Sequence, residues 1–150
     1  MSETVRIRET ATIRAPAEVL FERIADYRSA QHLIDGLESM SPTGTITSGL
    51  GARFAAVMKV GPRTFRAMIA ITDYEPPRHL TWSSSGRDAQ ALTFDLTPVE
   101  KDGGPATEVT LEVAYPRPGG FTGIVVAPVV EQAVRTKVHS TLERLRADAA

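Results

Sequence analysis

The chain has 150 residues, enough for one hydrophobic core, and its 42% hydrophobic and 23% charged residues place it among globular chains. A formal net charge of −1 gives no basic field for nucleic-acid phosphates, and the absence of cysteine excludes disulfides, thiolate metal sites and a cysteine nucleophile. The first residues alternate polar and apolar instead of forming a secretory signal, and the apolar run Ile124 to Val130 is far shorter than the roughly 20 residues that cross a bilayer. A cytoplasmic protein with no membrane span is expected.

Val5, Ile7, Ala11 and Ile13 share one parity against Arg6, Arg8, Thr10, Thr12 and Arg14, the period of a half-buried strand. Ala15-Pro16 then opens a helix with Val19, Leu20, Phe21 and Ile24 as its apolar stripe, ending near Asp26. Ser29 is placed to cap a second short helix that runs to about Ile34 and stops at Asp35-Gly36. Beyond it, proline and glycine punctuate strands expected near Leu37–Thr47, Ala52–Val60, Arg63–Tyr74, His79–Ser85, Ala89–Pro98 and Thr107–Tyr115. Phe121 to Ala147 lacks turn signals and carries Ile124, Pro128, Val134, Val138, Leu142 and Leu145 roughly along one face, which predicts a long closing helix bent at Pro128. This order, strand, two small helices, six meandering strands and a helix, is α+β logic in one domain over residues 1–150, with the helices on one face of a seven-stranded antiparallel sheet.

Several motifs in this order resemble the START-like superfamily, also called SRPBCC, helix-grip or Bet v 1-like proteins, and within it the polyketide cyclase/dehydrase-like branch. They are Ala15-Pro16-Ala17-Glu18-Val19, Ala25-Asp26-Tyr27, Gly49-Leu50-Gly51-Ala52-Arg53-Phe54, Tyr74-Glu75-Pro76-Pro77-Arg78 with Leu80-Thr81-Trp82, Phe94-Asp95-Leu96-Thr97-Pro98 and Thr107-Glu108-Val109-Thr110. Lys59-Val60-Gly61-Pro62 followed by Asp73-Tyr74-Glu75-Pro76-Pro77 is also locally similar to the carbon monoxide dehydrogenase G group of the same superfamily. The tryptophan that cyclase-branch members often carry after the first helix is missing from Tyr27–Leu33, so no pocket residue is carried over from them. The resemblance implies a helix-grip fold, a curved sheet around the C-terminal helix with a ligand cavity between them.

Strand parity then nominates the lining. The first strand contributes Val5, Ile7 and Ala11, and the next inward sets are Phe54, Ala56, Met58 and Phe65, Ala67, Ile69. Leu80 with Trp82, Leu92 with Phe94, and Leu111 with Val113 follow, and Val134 and Val138 face them from the helix. Alanines 11, 56 and 67 are small residues that leave space on a concave face. Tyr27 and His32, on the short second helix, are candidates for the pocket mouth.

Glu9 is the one charge on the inward parity of the first strand, and a carboxylate there needs a partner or a raised pKa, which makes it the candidate proton-transfer group. Asp73, near its strand end, is expected at a rim. His79 and His139 lack companions at metal-ligand spacing, so neither a metal site nor a cofactor is expected. Serines 83 to 85 have no nucleophile-elbow pattern, and no glycine-rich phosphate loop is present. The apolar start of the closing helix, Phe121, Ile124, Val125, Val126, Val129 and Val130, is either buried or a homodimer contact or portal. The leading function is binding of a small hydrophobic molecule such as a lipid or polyketide. The rivals are a polyketide aromatase/cyclase working through polar cavity groups, which leaves enzymatic activity open, and an accessory or interaction protein like the carbon monoxide dehydrogenase G group.

Overall fold

A computed structural model describes residues 4–60, 62–85, 89–116 and 120–149, side chains at 60, 63 and 120–127 excepted. The elements follow as β1 (Thr4–Ile13), α1 (Ala17–Ala25), α2 (Tyr27–Leu33), β2 (Leu37–Pro42), β3 (Arg53–Val60), β4 (Arg63–Glu75), β5 (His79–Ser84), β6 (Ala91–Lys101), β7 (Gly104–Pro116) and α3 (Gly120–Ala149). The strands form one curved antiparallel sheet in the order β1-β7-β6-β5-β4-β3-β2, a meander closed by pairing the first strand with the last. α3 packs on β1 and β7, and α1 and α2 fill the same side.

α1 buries Ala17, Leu20, Phe21 and Ile24, which are the i, i+3, i+4 and i+7 positions of one stripe. Val19 falls off that stripe and is exposed, contrary to expectation. The cap of α2 is also not Ser29. Asp26 turns the chain, donating its backbone N–H to Glu22 O at the end of α1 and accepting from Arg28 N at 2.9 Å at the start of α2, so α2 begins two residues before Ser29. The Arg28 guanidinium beside Asp26 holds that carboxyl below its ordinary range.

β2 stops at Pro42, short of the expected Thr47, and residues 43–52 form an irregular connection that places Gly49 and Gly51 at φ of 77° and 88°. β6 and β7 instead run farther than Pro98 and Thr107, joined by a tight turn in which Asp102 and Gly103 both have positive φ, 53° and 78°. Pro98 and Pro105 are tolerated inside these long strands because β5 pairs only as far as Asp95 and β1 only as far as Thr107, which leaves one side of each proline without a ladder partner.

The core lies between the concave face, α1, α2 and the C-terminal half of α3. Phe54, Phe94, Leu80 and Leu111 from the sheet meet Leu20 and Ile24 from α1 and Val138, Leu142 and Leu145 from α3. Trp82 is locked among them, donating Nε1–H to the Ile24 carbonyl at 3.2 Å and packing tilted against Phe54 with ring centroids 5.4 Å apart. Thr107 likewise donates to Ala15 O at 2.7 Å, so the buried β1–α1 corner leaves no free carbonyl there. α3 runs as one helix through Pro128. Val129 is exposed and Val130 partly buried, while the side chains of Phe121, Ile124, Val125 and Val126 lie outside the described residues.

Candidate ligand-binding site

Cross-strand partners share a face, and the register aligns the nominated residues into rows on the concave side. Ile7 pairs with Val113, Val113 with Leu92, Leu92 with Trp82 and Trp82 with Ile71. Leu111 with Phe94, Phe54 with Ile69, Ala56 with Ala67 and Met58 with Phe65 complete the surface. The parity reading thus brings all the strand positions to one face.

They are not equally packed. Ile7, Phe54, Ala56, Trp82, Phe94, Leu111 and Val138 are closed off from solvent, so these belong to the solid core. Ala11, Met58, Ala67, Ile69, Leu92, Val113 and Val134 share the same face yet retain solvent contact, and Phe65, at its far end, is 43% exposed. The residual exposure falls mainly on β3, β4, Leu92 of β6 and Val113 of β7, and on Val130 and Val134 of α3.

The polar groups sit at the margins of this face. Glu9 takes its place on the inward face opposite Leu111, but β1 is an edge strand, and the carboxylate accepts a hydrogen bond from His139 Nδ1 of α3 at 2.6 Å. The side chains of Glu9 and His139 are 36% and 61% exposed, so the pair closes the edge of the helix onto the sheet in contact with water. His139 is held protonated above its ordinary range by the Glu9 hydrogen bond first and by the Glu9 charge next. The two residues are 130 positions apart and only the fold joins them. The buried Thr141 donates to Lys137 O at 2.7 Å and accepts from Asp35 N at 3.0 Å. Among the described residues no buried side-chain polar atom lacks a partner.

Tyr27 and His32 flank α2. Tyr27 is half-buried against Phe54, ring centroids 5.2 Å apart, with the Arg28 guanidinium 5.7 Å from its ring, whereas His32 is exposed. Past the end of α2 lies a cleft of about 410 Å³ walled by Asp35, Gly36, Leu37, Glu38, Lys59, Lys137 and Arg144. Nothing in the sequence pattern distinguished these lysines from solvated surface charges.

A second polar cluster stands on the convex face. A bulge shifts the β4–β5 register between Ile71 and Asp73, which turns Asp73 outward from the parity it would otherwise share with Ile69 and Ile71. His79 then lies between two carboxylates, with Nε2 at 2.9 Å from Asp73 and Nδ1 at 2.6 Å from Asp95. Both raise its pKa above the ordinary value, the Asp95 hydrogen bond most. Asp73, Glu75 and His79 bring three candidate ligand atoms within 4.8 Å of one another, so the expectation that His79 lacks companions at metal-ligand spacing is corrected, and the reason is the bulge. Glu75, His79 and Asp95 line a cleft of about 270 Å³ together with Arg78, Leu96 and Thr97.

A sequence model of the family described as polyketide cyclase / dehydrase and lipid transport matches residues 4–150. No curated protein matches the sequence. Among solved structures, a Thermus thermophilus protein is similar over 95% of both chains, with a TM-score of 0.77 at 17% identity. The Zhui aromatase/cyclase of a Streptomyces species covers 98% of this chain and 94% of its own, with a TM-score of 0.76 at 15% identity. A START superfamily protein from Mycobacterium smegmatis gives 0.74 at 10% identity over 96% of each chain. These likenesses carry the helix-grip fold, and none of them shows the local likeness to the carbon monoxide dehydrogenase G group.

Proposed function

Because the chain belongs to the polyketide cyclase / dehydrase and lipid transport family, we propose that it binds a small hydrophobic molecule between the concave face of its sheet and α3. Family membership supports hydrophobic-ligand binding in general. The observation that carries the reading to this site is the solvent contact kept by Met58, Ala67, Ile69, Leu92, Val113 and Val134, all apolar and all on the helix-facing side. An apolar ligand seated there removes that surface from water at about 25 cal/mol per Å² and requires no polar group to orient it.

A cyclase needs proton-transfer groups converging on the reacting chain. The Glu9–His139 pair lies at the sheet edge in contact with water, and the buried Thr107 and Thr141 are already bonded to backbone, which supports a binding protein ahead of an enzyme. Native mass spectrometry of the protein purified from its own source tests the proposal. The expected result is a retained apolar small molecule released on denaturation; a bare chain that also takes up no added lipid, sterol or aromatic polyketide contradicts it.

A further inference from the structure

Glu75, His79 and Asp95 form one row across three strands of the convex face. Glu75 pairs with His79 between β4 and β5, and His79 pairs with Asp95 between β5 and β6. Asp73 joins the row from two positions before Glu75, since Tyr74 between them turns inward onto Phe21 with ring centroids 5.5 Å apart. Paired strands therefore hold all four positions.

The donors of this row differ in kind. His79 Nδ1 stands 2.6 Å from Asp95, and that bond directs the opposite ring nitrogen, Nε2, to within 2.9 Å of Asp73. A metal-ligating histidine is oriented in this way, with one ring nitrogen donating to a carboxylate and the other on the ion. One ligand atom each from Asp73, Glu75 and His79 lies within 4.8 Å of the other two. Atoms bound to zinc at about 2.0–2.2 Å stand roughly 3–3.5 Å from one another, so the His79–Asp73 separation is near that spacing and the exposed Glu75 moves inward to complete the set. Among the described residues the three carboxylates are paired only with His79 and Arg78. The Arg78–Glu75 pair is long, at 3.3 Å, with both side chains more than half exposed, so it holds Glu75 weakly.

We propose that Asp73, Glu75 and His79 bind a divalent transition-metal ion, best matched by Zn²⁺, through one oxygen of each carboxylate and Nε2 of the imidazole, with Asp95 positioning the ring. Two carboxylates and a neutral imidazole balance the charge of the dication, and imidazole with carboxylate is a donor set that zinc accepts. The ion takes the place of the Nε2 proton, which leaves to solvent. Three protein ligands leave a coordination position for water, and the adjoining cleft of about 270 Å³ has room for it. The site is independent of the concave apolar face and of any ligand bound there.

Isothermal titration calorimetry of the full chain with ZnCl₂ at neutral pH, together with NMR spectra of the histidine rings, tests the assignment. One ion is expected per chain, with the resonances of the His79 ring moving and those of His32 and His139 unmoved. His79→Gln is expected to abolish this binding, whereas His32→Gln, at an exposed position of α2, leaves it unchanged. Asp95→Asn is expected to weaken binding about tenfold and to remove the Nδ1–H tautomer preference from the nitrogen shifts of the His79 ring. Glu75→Gln, at an exposed position, makes the same test by weakened binding should the His79 variant fail to fold. Absence of saturable zinc binding, shifts at His32 or His139 in place of His79, or full affinity retained in both His79→Gln and Glu75→Gln overturns the site.

Discussion

His79 and His139 are each held by carboxylates that the fold, not the sequence neighbourhood, supplies, and the consequence is a pH dependence of definite sign. A histidine whose folded pKa is raised contributes stability that is fully present below its unfolded value near 6.5 and is lost as the pH rises through the folded value. The melting temperature should therefore decline as the pH climbs from about 6 through the raised pKa of His79, and His79→Gln should flatten that part of the profile. An NMR titration placing His79 at or below 6.5 contradicts the Asp73–His79–Asp95 arrangement. In the same titration Glu9→Gln should move His139 downward, since Glu9 is the first cause of its shift; an unmoved His139 removes the contact. Trp82→Phe keeps the ring but leaves the Ile24 carbonyl buried without its donor, which should cost about 1–3 kcal/mol in urea unfolding. A loss within a few tenths of a kcal/mol would show that the indole N–H does not hold α1 to the sheet.

Among the elements, the joint between α2 and β2 is the most sensitive to substitution. Gly36→Ala combines a left-handed backbone with a Cβ pressed to 2.9 Å from the Lys59 carbonyl, and should destabilise by about 1–3 kcal/mol while displacing Lys137. Thermal unfolding unchanged by that substitution would contradict the close approach. Element boundaries show what a sequence can disclose. Strand parity and the long apolar stripe of α3 were legible, because periods of two and three to four are imposed by backbone geometry. Asp26 was not legible as a cap, because it serves two helices at once, and the bulge beside Thr72 was not, because a slipped register leaves the alternation on either side intact. The site divides in the same way. Which strand positions face the helices follows from parity, but which of them pack solidly and which keep solvent contact depends on how closely α3 approaches each strand. The Lys59 carbonyl and the Lys137 side chain come together at Gly36 through tertiary contact alone, and no local pattern signals that.

At the scale of the whole molecule, the sheet, α1 and the C-terminal half of α3 form a packed body, and the inward residues on the β3–β4 side keep solvent contact. Cross-strand neighbours Ala56 and Ala67 separate these two regimes, since Ala56 is 2% exposed and Ala67 keeps solvent contact. Ala56→Phe should overpack and cost roughly 1–3 kcal/mol, whereas Ala67→Phe should fill ligand volume with little loss of stability. The most direct test of the binding gap is the melting temperature of the unmodified protein and of Ala67→Phe with increasing 1-decanol. Native-state binding contributes about 2.7 kcal/mol at a hundred times Kd, and about 1 kcal/mol moves a domain of this size by roughly 2–4 °C, so the unmodified protein should rise by several degrees. Ala67→Phe should melt near the unmodified temperature and respond weakly or not at all. An unmodified protein that shows no shift, together with an Ala67→Phe variant destabilised as much as Ala56→Phe, would mean that sheet and helix enclose a solid core and no binding site.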